Sequence, residues 1–390
     1  MSRKYLYEKH SVFKILSNTF FNMATFKDHL QRIHQEIAIK DEDRQPYTEM
    51  YNTIRDWLLD EMCKADPMFN KMYKGTSLFG SYPNRVRIIK PSEFDVFILM
   101  DLPFEFTVET HPKRPGFIHI SSMKWENCAT DSKTETLYKG LFGYNKKSVL
   151  NRNKLKRWIK NIIKKVLSSR PQPIGYTIKY TCCSVAHQIY VRDERAPYKT
   201  ISIDFVPAIR MPKEYMKPLV GKNACLKDEY YETFVAIPKC LEGCGPRTSR
   251  KLTFQLVNPV AERDIIWDKQ NLKVIYRLLK SLRNQYKLPR LKSYFLTAVF
   301  LQQVTKCNDE FWQQSVSYIF LYMLDKMIVY FQQGDLPYYW VSGFNLLSIL
   351  RPEEIGDYTD ILTAAYNDLK KLEHQNSVSY AVMAEHFKTT

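Results

Sequence analysis

The chain has 390 residues, 45% of them hydrophobic and 14% aromatic, enough for one large or two moderate domains with a substantial core; this excludes a disordered or low-complexity protein. With 58 Lys+Arg against 41 Asp+Glu, the formal net charge of +17 favours a polyanionic partner, nucleic acid or an anionic membrane surface. No stretch of about 18 residues is both apolar and free of charge, which argues against a transmembrane helix; Met1-Ser2-Arg3-Lys4-Tyr5-Leu6 opens no apolar signal core, and the eight scattered cysteines suit reduced thiols, so a cytoplasmic location is expected.

Residues 1–25 carry no clear pattern. Over 26–40, Phe26, Leu30, Ile33 and Ile37 recur at helical spacing. Asp41-Glu42-Asp43 interrupts that pattern, and a second helix is expected over 46–65 with Met50, Ile54, Leu58 and Met62 on one face. Both are expected to support the sheet that follows. The stretch 79–100 then joins a Gly80-Ser81 turn, a short linker, and an apolar, β-prone strand entered through Glu93 and Asp95. Two residues apart on a strand, these carboxylates share a face. Acids aimed at one point repel unless a cation lies between them. Hard oxygen ligands suit Mg²⁺ or Mn²⁺, with substrate phosphates completing the shell. Gly80 lets the backbone approach a phosphate closely, and Ser81 adds an N–H and a hydroxyl. Glu-x-Asp alone is a common surface pattern; its position after a Gly-Ser turn makes it specific.

Residues 101–144 read as loops and strands. His111 and His119 are not expected to ligate metal, since neither has a second His or Cys at ligand spacing. The segment 145–170 is different: it holds Lys146, Lys147, Arg152, Lys154, Lys156, Arg157, Lys160, Lys164, Lys165 and Arg170 and no acid. Leu155, Trp158, Ile159, Ile162, Ile163 and Val166 give it a helical apolar face, leaving a cationic stripe opposite. Uncompensated cations at this density favour phosphate-backbone binding over a merely solvated face or a membrane-surface helix. Strands are expected over 176–191 and 199–210. In the second, Ile201, Ile203 and Phe205 alternate into the core while Ser202, Asp204 and Val206 face the other way; beside Glu93 and Asp95, Asp204 becomes the expected third metal ligand. Cys240 and Cys244 lack the partner pair that a structural zinc requires. Residues 211–260 read as loop-rich, and helices are expected over 271–286, 293–304, 311–331 and 358–372. The division is therefore an α/β catalytic core at 1–210 and a helical lobe at 211–390.

The order Gly80-Ser81, Glu93-Phe94-Asp95, a basic helix, Ile203-Asp204-Phe205-Val206-Pro207, then a helical half with Ser293-Tyr294 resembles the cyclic GMP-AMP synthase family, and its animal cGAS-like receptors most of all. The resemblance implies a bilobal nucleotidyltransferase fold. It implies a metal triad of Glu93, Asp95 and Asp204 holding two Mg²⁺ or Mn²⁺ ions, and nucleotide contacts from Gly80, Ser81, Lys251, Lys280, Ser293 and Tyr294. It further implies ATP and GTP as substrates, a cyclic GMP-AMP second messenger received by STING in innate antiviral immunity, and a possible ligand-induced oligomer. The vertebrate enzyme's His-Cys-Cys-Cys zinc insertion has no counterpart between Phe254 and Lys273. This departure resembles the insect-type receptors and favours double-stranded RNA over double-stranded DNA as the activator. A relative making linear oligoadenylates and a catalytically inactive nucleic-acid-binding relative remain the alternatives.

Overall fold

The computed structural model describes residues 24–122, 132–142, 148–220, 227–240 and 251–389. Helix α1 (Phe26–Ile37) starts at a capping box between Thr25 and Asp28 and buries the expected apolar face. Helix α2 (Asp41–Ala65) begins five residues earlier than expected. The Asp41-Glu42-Asp43 triplet does not break a helix; it forms the first turn of one, where negative charge meets the positive end of the dipole. A short helix, Pro67–Met72, leads into the sheet.

Among the described residues the sheet has nine strands: β1 (Tyr73–Phe79), β2 (Glu93–Met100), β3 (Phe106–Thr110), β4 (Phe117–Ser122), β5 (Tyr176–Cys182), β6 (His187–Asp193), β7 (Thr200–Arg210), β8 (Val235–Ile237) and β9 (Phe254–Val257). Its main order is β1-β2-β7-β8-β9-β4-β3, with β6 on β7 and β5 on β6. The stretch expected as one strand over 176–191 is a hairpin, closed where the Cys183 N–H donates to the Ala186 carbonyl. The long strand β7 is central: β2 runs parallel along one edge, while the other edge takes β6 over its first half and β8 at its end. The sheet thus continues past residue 210 into the segment read as loop-rich.

Helices α3 (Ser132–Leu141) and α4 (Arg152–Ser169) follow β4, and α4 is the expected basic helix. Asn151 caps it by accepting from the Asn153 and Lys154 N–H groups, and Leu155, Ile159, Ile162, Ile163 and Val166 are buried. It packs along α2. The helical half comprises α5 (Pro259–Trp267), α6 (Leu272–Gln285), α7 (Ser293–Val304), α8 (Val316–Gln333) and α9 (Pro352–Glu373), with short helices at Lys213–Leu219, Asp309–Gln313 and Tyr380–Ala384. The helix expected over 311–331 is split, because Ser315 caps a new start by accepting from the Tyr318 N–H. Helix α1 packs on α6, so the first described helix braces the second half of the chain. No helix among the described residues is long and apolar enough to cross a membrane.

Candidate active site

The site is built where β2 and β7 run side by side. Their parallel register sets Asp95 directly opposite Asp204, and Glu93 opposite Ser202; neighbouring strands lie about 4.8 Å apart. On β7, Ile201, Ile203 and Phe205 join the main core, which turns Asp204 to the other face. The like charges register in the acids themselves. Burial first, then Asp204 and Glu93, push the Asp95 carboxyl up to about 6. Burial and Glu93 raise Asp204 as well, against a 3.0 Å hydrogen bond from Gln188. Glu93 is exposed and paired with Arg87 at 2.8 Å. Among the described residues, no three His, Cys, Asp or Glu side chains sit close enough to hold a metal ion. The acids are instead divided among donors, Arg87 for Glu93 and Gln188 for Asp204.

Gly80 closes over this pair. Its φ is +77°, and a Cβ there would come within 2.5 Å of Asp95 Oδ2. Only glycine can take that backbone and leave the carboxylate room. Ser81 follows it into a cavity of about 300 Å³. Gly80, Ser81, Asp95 and Phe97 line it, as do Gln255 and Val257 of β9. Ser293 and Tyr294, at the start of α7, complete its lining with residues of the helical half. Ser293 is held on two sides: the Tyr276 hydroxyl donates to its carbonyl at 2.8 Å, and Arg283 Nη1 donates to its Oγ at 2.9 Å. The Tyr294 hydroxyl and the Trp340 indole N–H both donate to Glu262 Oε1 at 2.7 Å. Burial pushes the Glu262 carboxyl up to about 7 in spite of these two donors. Lys280 on α6 is 8% exposed, and burial together with Arg87 and Arg283 lowers it to about 8, while Glu93 and Asp95 oppose the fall.

Of the expected site residues, Gly80, Ser81, Asp95, Ser293 and Tyr294 line the cavity; Asp204 lies opposite Asp95 on the neighbouring strand, and Glu93 and Lys280 are near enough for their charges to act on Asp95. Lys251 is exposed ahead of β9 and is not among the residues lining the cavity. Gln255, four residues on, is, because Phe254 and Leu256 alternate into the core and turn it to the opposite face. Sequence reading missed Gln255, and it missed Glu262 on α5; a lone amide on an apolar strand was a signal for the first, whereas Glu262 sits beside Arg263 and Asp264 and has no such mark.

The cations of the basic helix are not placed alike. Arg152 is buried, Lys154 donates to the Phe142 carbonyl at 2.7 Å, and Lys156 donates to the Ser184 carbonyl at 3.3 Å. Arg157 and Lys164 are exposed, Lys160 is half-buried, and Lys146 and Lys147 lie outside the described residues. A second cationic group went unread: Arg44 of α2, Arg85 of the loop after Gly80, and Lys273 and Arg277 of α6 converge, and each of Arg44, Lys273 and Arg277 is lowered partly by another member. Lys273 Nζ lies 3.9 Å above the ring of exposed Trp267. His111 and His119, eight residues apart across the turn between β3 and β4, have ring centroids 5.7 Å apart, yet among the described residues they belong to no three-ligand group. Cys244 lies outside the described residues.

Comparison with known proteins agrees with this architecture. Residues 82–268 match the model of the Mab-21 protein nucleotidyltransferase domain, and residues 269–364 match that of the Mab-21 protein HhH/H2TH-like domain. The chain is a Mab-21 nucleotidyltransferase of the cGAS-like receptor family. It is 28% identical over 358 residues to cyclic GMP-AMP synthase-like receptor 1 of Drosophila melanogaster, covering 88% of this chain and 90% of that one. It is 26% identical over 353 residues to the cyclic GMP-AMP synthase-like receptor of Aethina tumida, covering 87% of each. The family generally uses divalent metal ions, and the chemistry here suits such a cation: Asp95 and Asp204 lie opposite each other on adjoining strands, and after burial the charges of Asp204 and Glu93 raise Asp95 while Glu93 raises Asp204, a repulsion that a cation would relieve.

Proposed function

We propose that this chain is a cytoplasmic, double-stranded RNA-activated synthase that joins ATP and GTP into a cyclic dinucleotide, cyclic GMP-AMP, as a second messenger for a STING-type receptor. The observation that carries the reading is the opposition of Asp95 and Asp204 across adjoining strands, with Gly80 against Asp95 and Asp95 lining a cavity shared with Ser81, Ser293 and Tyr294. Glu93, Asp95 and Asp204 would hold two divalent cations, which when bound supply charge neutralisation for the triphosphate and activation of the attacking ribose hydroxyl. Arg87 releases Glu93 for the three acids to act together. The Gly80-Ser81 backbone and hydroxyl, with Lys280, bind phosphate oxygens. Tyr294, its hydroxyl tied to Glu262, offers a fixed ring face to a base. Asp204 or Glu93 accepts the proton of the attacking hydroxyl. Duplex RNA is bound by its backbone through the exposed cations of α4, among them Arg157 and Lys164, without base reading, and this binding orders the loop after Gly80.

The test incubates purified protein with labelled ATP and GTP, Mg²⁺ or Mn²⁺, and no ligand, duplex RNA or duplex DNA, beside an Asp204→Ala control. A phosphatase-resistant product made only with RNA and lost in the control is expected. Product with DNA alone refutes the choice of activator, a linear product refutes cyclisation, and no product under any condition refutes the proposal.

A further inference from the structure

The loop between β1 and β2 presents Gly80 and Ser81 to the cavity, and its backbone is unusual. Among the described residues three non-glycine residues have positive φ, and two are here: Arg85 at 54° and Ile89 at 71°. An L-residue avoids this region because its Cβ crowds the neighbouring carbonyl, so such backbone persists only where its surroundings hold it. Ile89 is held by its N–H, which donates to the Ile37 carbonyl at 3.1 Å, beside a bridge between Ala38 and Ile88. Arg85 is held differently. Its carbonyl accepts from Arg277 Nε at 3.0 Å and from Arg277 Nη2. On its other side Arg277 Nη1 donates to His34 Nε2 of α1 at 2.7 Å. A guanidinium has no acceptor, so this nitrogen is the lone-pair side of a neutral imidazole. Burial and the charge of Arg277 lower His34 to about 4, in keeping with that state.

Arg277 is not placed there by ion pairing. The charges acting on it are those of Arg44 and Arg85, both cations, and with burial they lower it to about 10. A half-buried cation set among like charges and hydrogen-bonded to two neutral acceptors contributes geometry. It joins α1, the loop and α6 at one point.

We propose that Arg277 is a positioning residue, clamping the Arg85 carbonyl with His34 as its backstop, and that this clamp sets the Gly80-Ser81 turn against Asp95. Its consequence for turnover rests on the proposed function; the clamp itself does not. Hydrogen exchange on the protein free of nucleotide, metal and nucleic acid tests it, on wild type, Arg277→Lys, His34→Leu and His34→Gln. In wild type the Arg85 and Val86 N–H groups donate to the Tyr82 and Ser81 carbonyls, both at 3.1 Å. Exchange at these amides is expected to rise on the order of tenfold in Arg277→Lys and His34→Leu, the scale of a lost charge-assisted hydrogen bond. It is expected to return to near wild type in His34→Gln, whose side-chain oxygen accepts from Arg277. Loop exchange unchanged in Arg277→Lys and His34→Leu overturns the proposal, as does failure of glutamine to rescue. Acceleration spread equally over α1 and α6 also overturns it, since the contact would then be holding the helices rather than the loop. Absence of turnover in wild type would count against the proposed function and leave the exchange result standing.

Discussion

Replacing Glu262 with glutamine probes how the cavity wall is held. The Glu262 carboxyl is 6% exposed and accepts from Tyr294 and Trp340 through the same oxygen, Oε1. Burial moves it from 4.5 to about 7. For an acid raised in the folded state, the native protein keeps a proton that the unfolded chain has already lost. Stability is therefore fully present below the unfolded value and falls as pH rises toward 7, by about 1.4 kcal/mol per pH unit. Across the shift this amounts to about 3 kcal/mol, levelling off above pH 7 once both states are ionised. Glutamine keeps an oxygen at Oε1 for both donors and cannot ionise. Urea unfolding of wild type and Glu262→Gln from pH 5 to 8 should give a stability difference that moves in favour of the variant by about 2–3 kcal/mol between pH 5 and 7 and then stays flat. Taking the difference cancels the other titrating groups, which the two proteins share. Parallel stability curves over this range would refute the reasoning, because they would mean that Glu262 ionises equally easily folded and unfolded.

Gly80→Ala should cut kcat by roughly a hundredfold or more while leaving thermal unfolding within a few degrees of wild type, since the added Cβ falls on the Asp95 carboxylate at a loop; near-normal kcat would remove Gly80 from the site. Gln255→Ala should raise KM for one nucleotide more than the other, measured with ATP and GTP varied separately, whereas Lys251→Ala should leave both unchanged, because Gln255 lines the cavity and Lys251 does not. Replacing Arg157 and Lys164 together by alanine should reduce the slope of log affinity for duplex RNA against log salt by roughly 2; the same change at Arg152 and Lys154, which are turned into the fold, should leave that slope unaltered. Chelating divalent cations with EDTA should end turnover, and added Mn²⁺ should restore it.

The acids were legible because strand alternation is a local rule. Ile201, Ile203 and Phe205 declare the buried face of β7, and Asp204 is then forced to the other. The apolar face of α4 was legible for the same reason. What the cations of that helix do was not: whether Lys154 reaches solvent or the Phe142 carbonyl depends on a neighbour supplied by tertiary packing. Gln255 escaped notice because strand β9 has only four residues, too short for alternation to mark which of them turns away from the core. The split at Gln314-Ser315 hides inside a continuous aromatic pattern, and only the cap at Ser315 marks it. The cluster of Arg44, Arg85, Lys273 and Arg277 spans over two hundred positions and has no local signature.

These two kinds of placement differ in what can change. Asp95 and Asp204 are fixed by ladder hydrogen bonds between β2 and β7, and a one-residue slip would turn every side chain of the strand to the wrong face. Their spacing cannot be adjusted without breaking the centre of the sheet. Gly80 and Ser81 sit instead at the head of a loop whose backbone includes two residues of positive φ and whose contacts run to α1 and α6. The Gly80-Ser81 turn is therefore set by contacts that a single substitution at Arg277 or His34 can alter, while the acids stay where the ladder holds them. Arg85 belongs to both the cationic cluster and the clamp, so the two meet on that loop and not on the carboxylates.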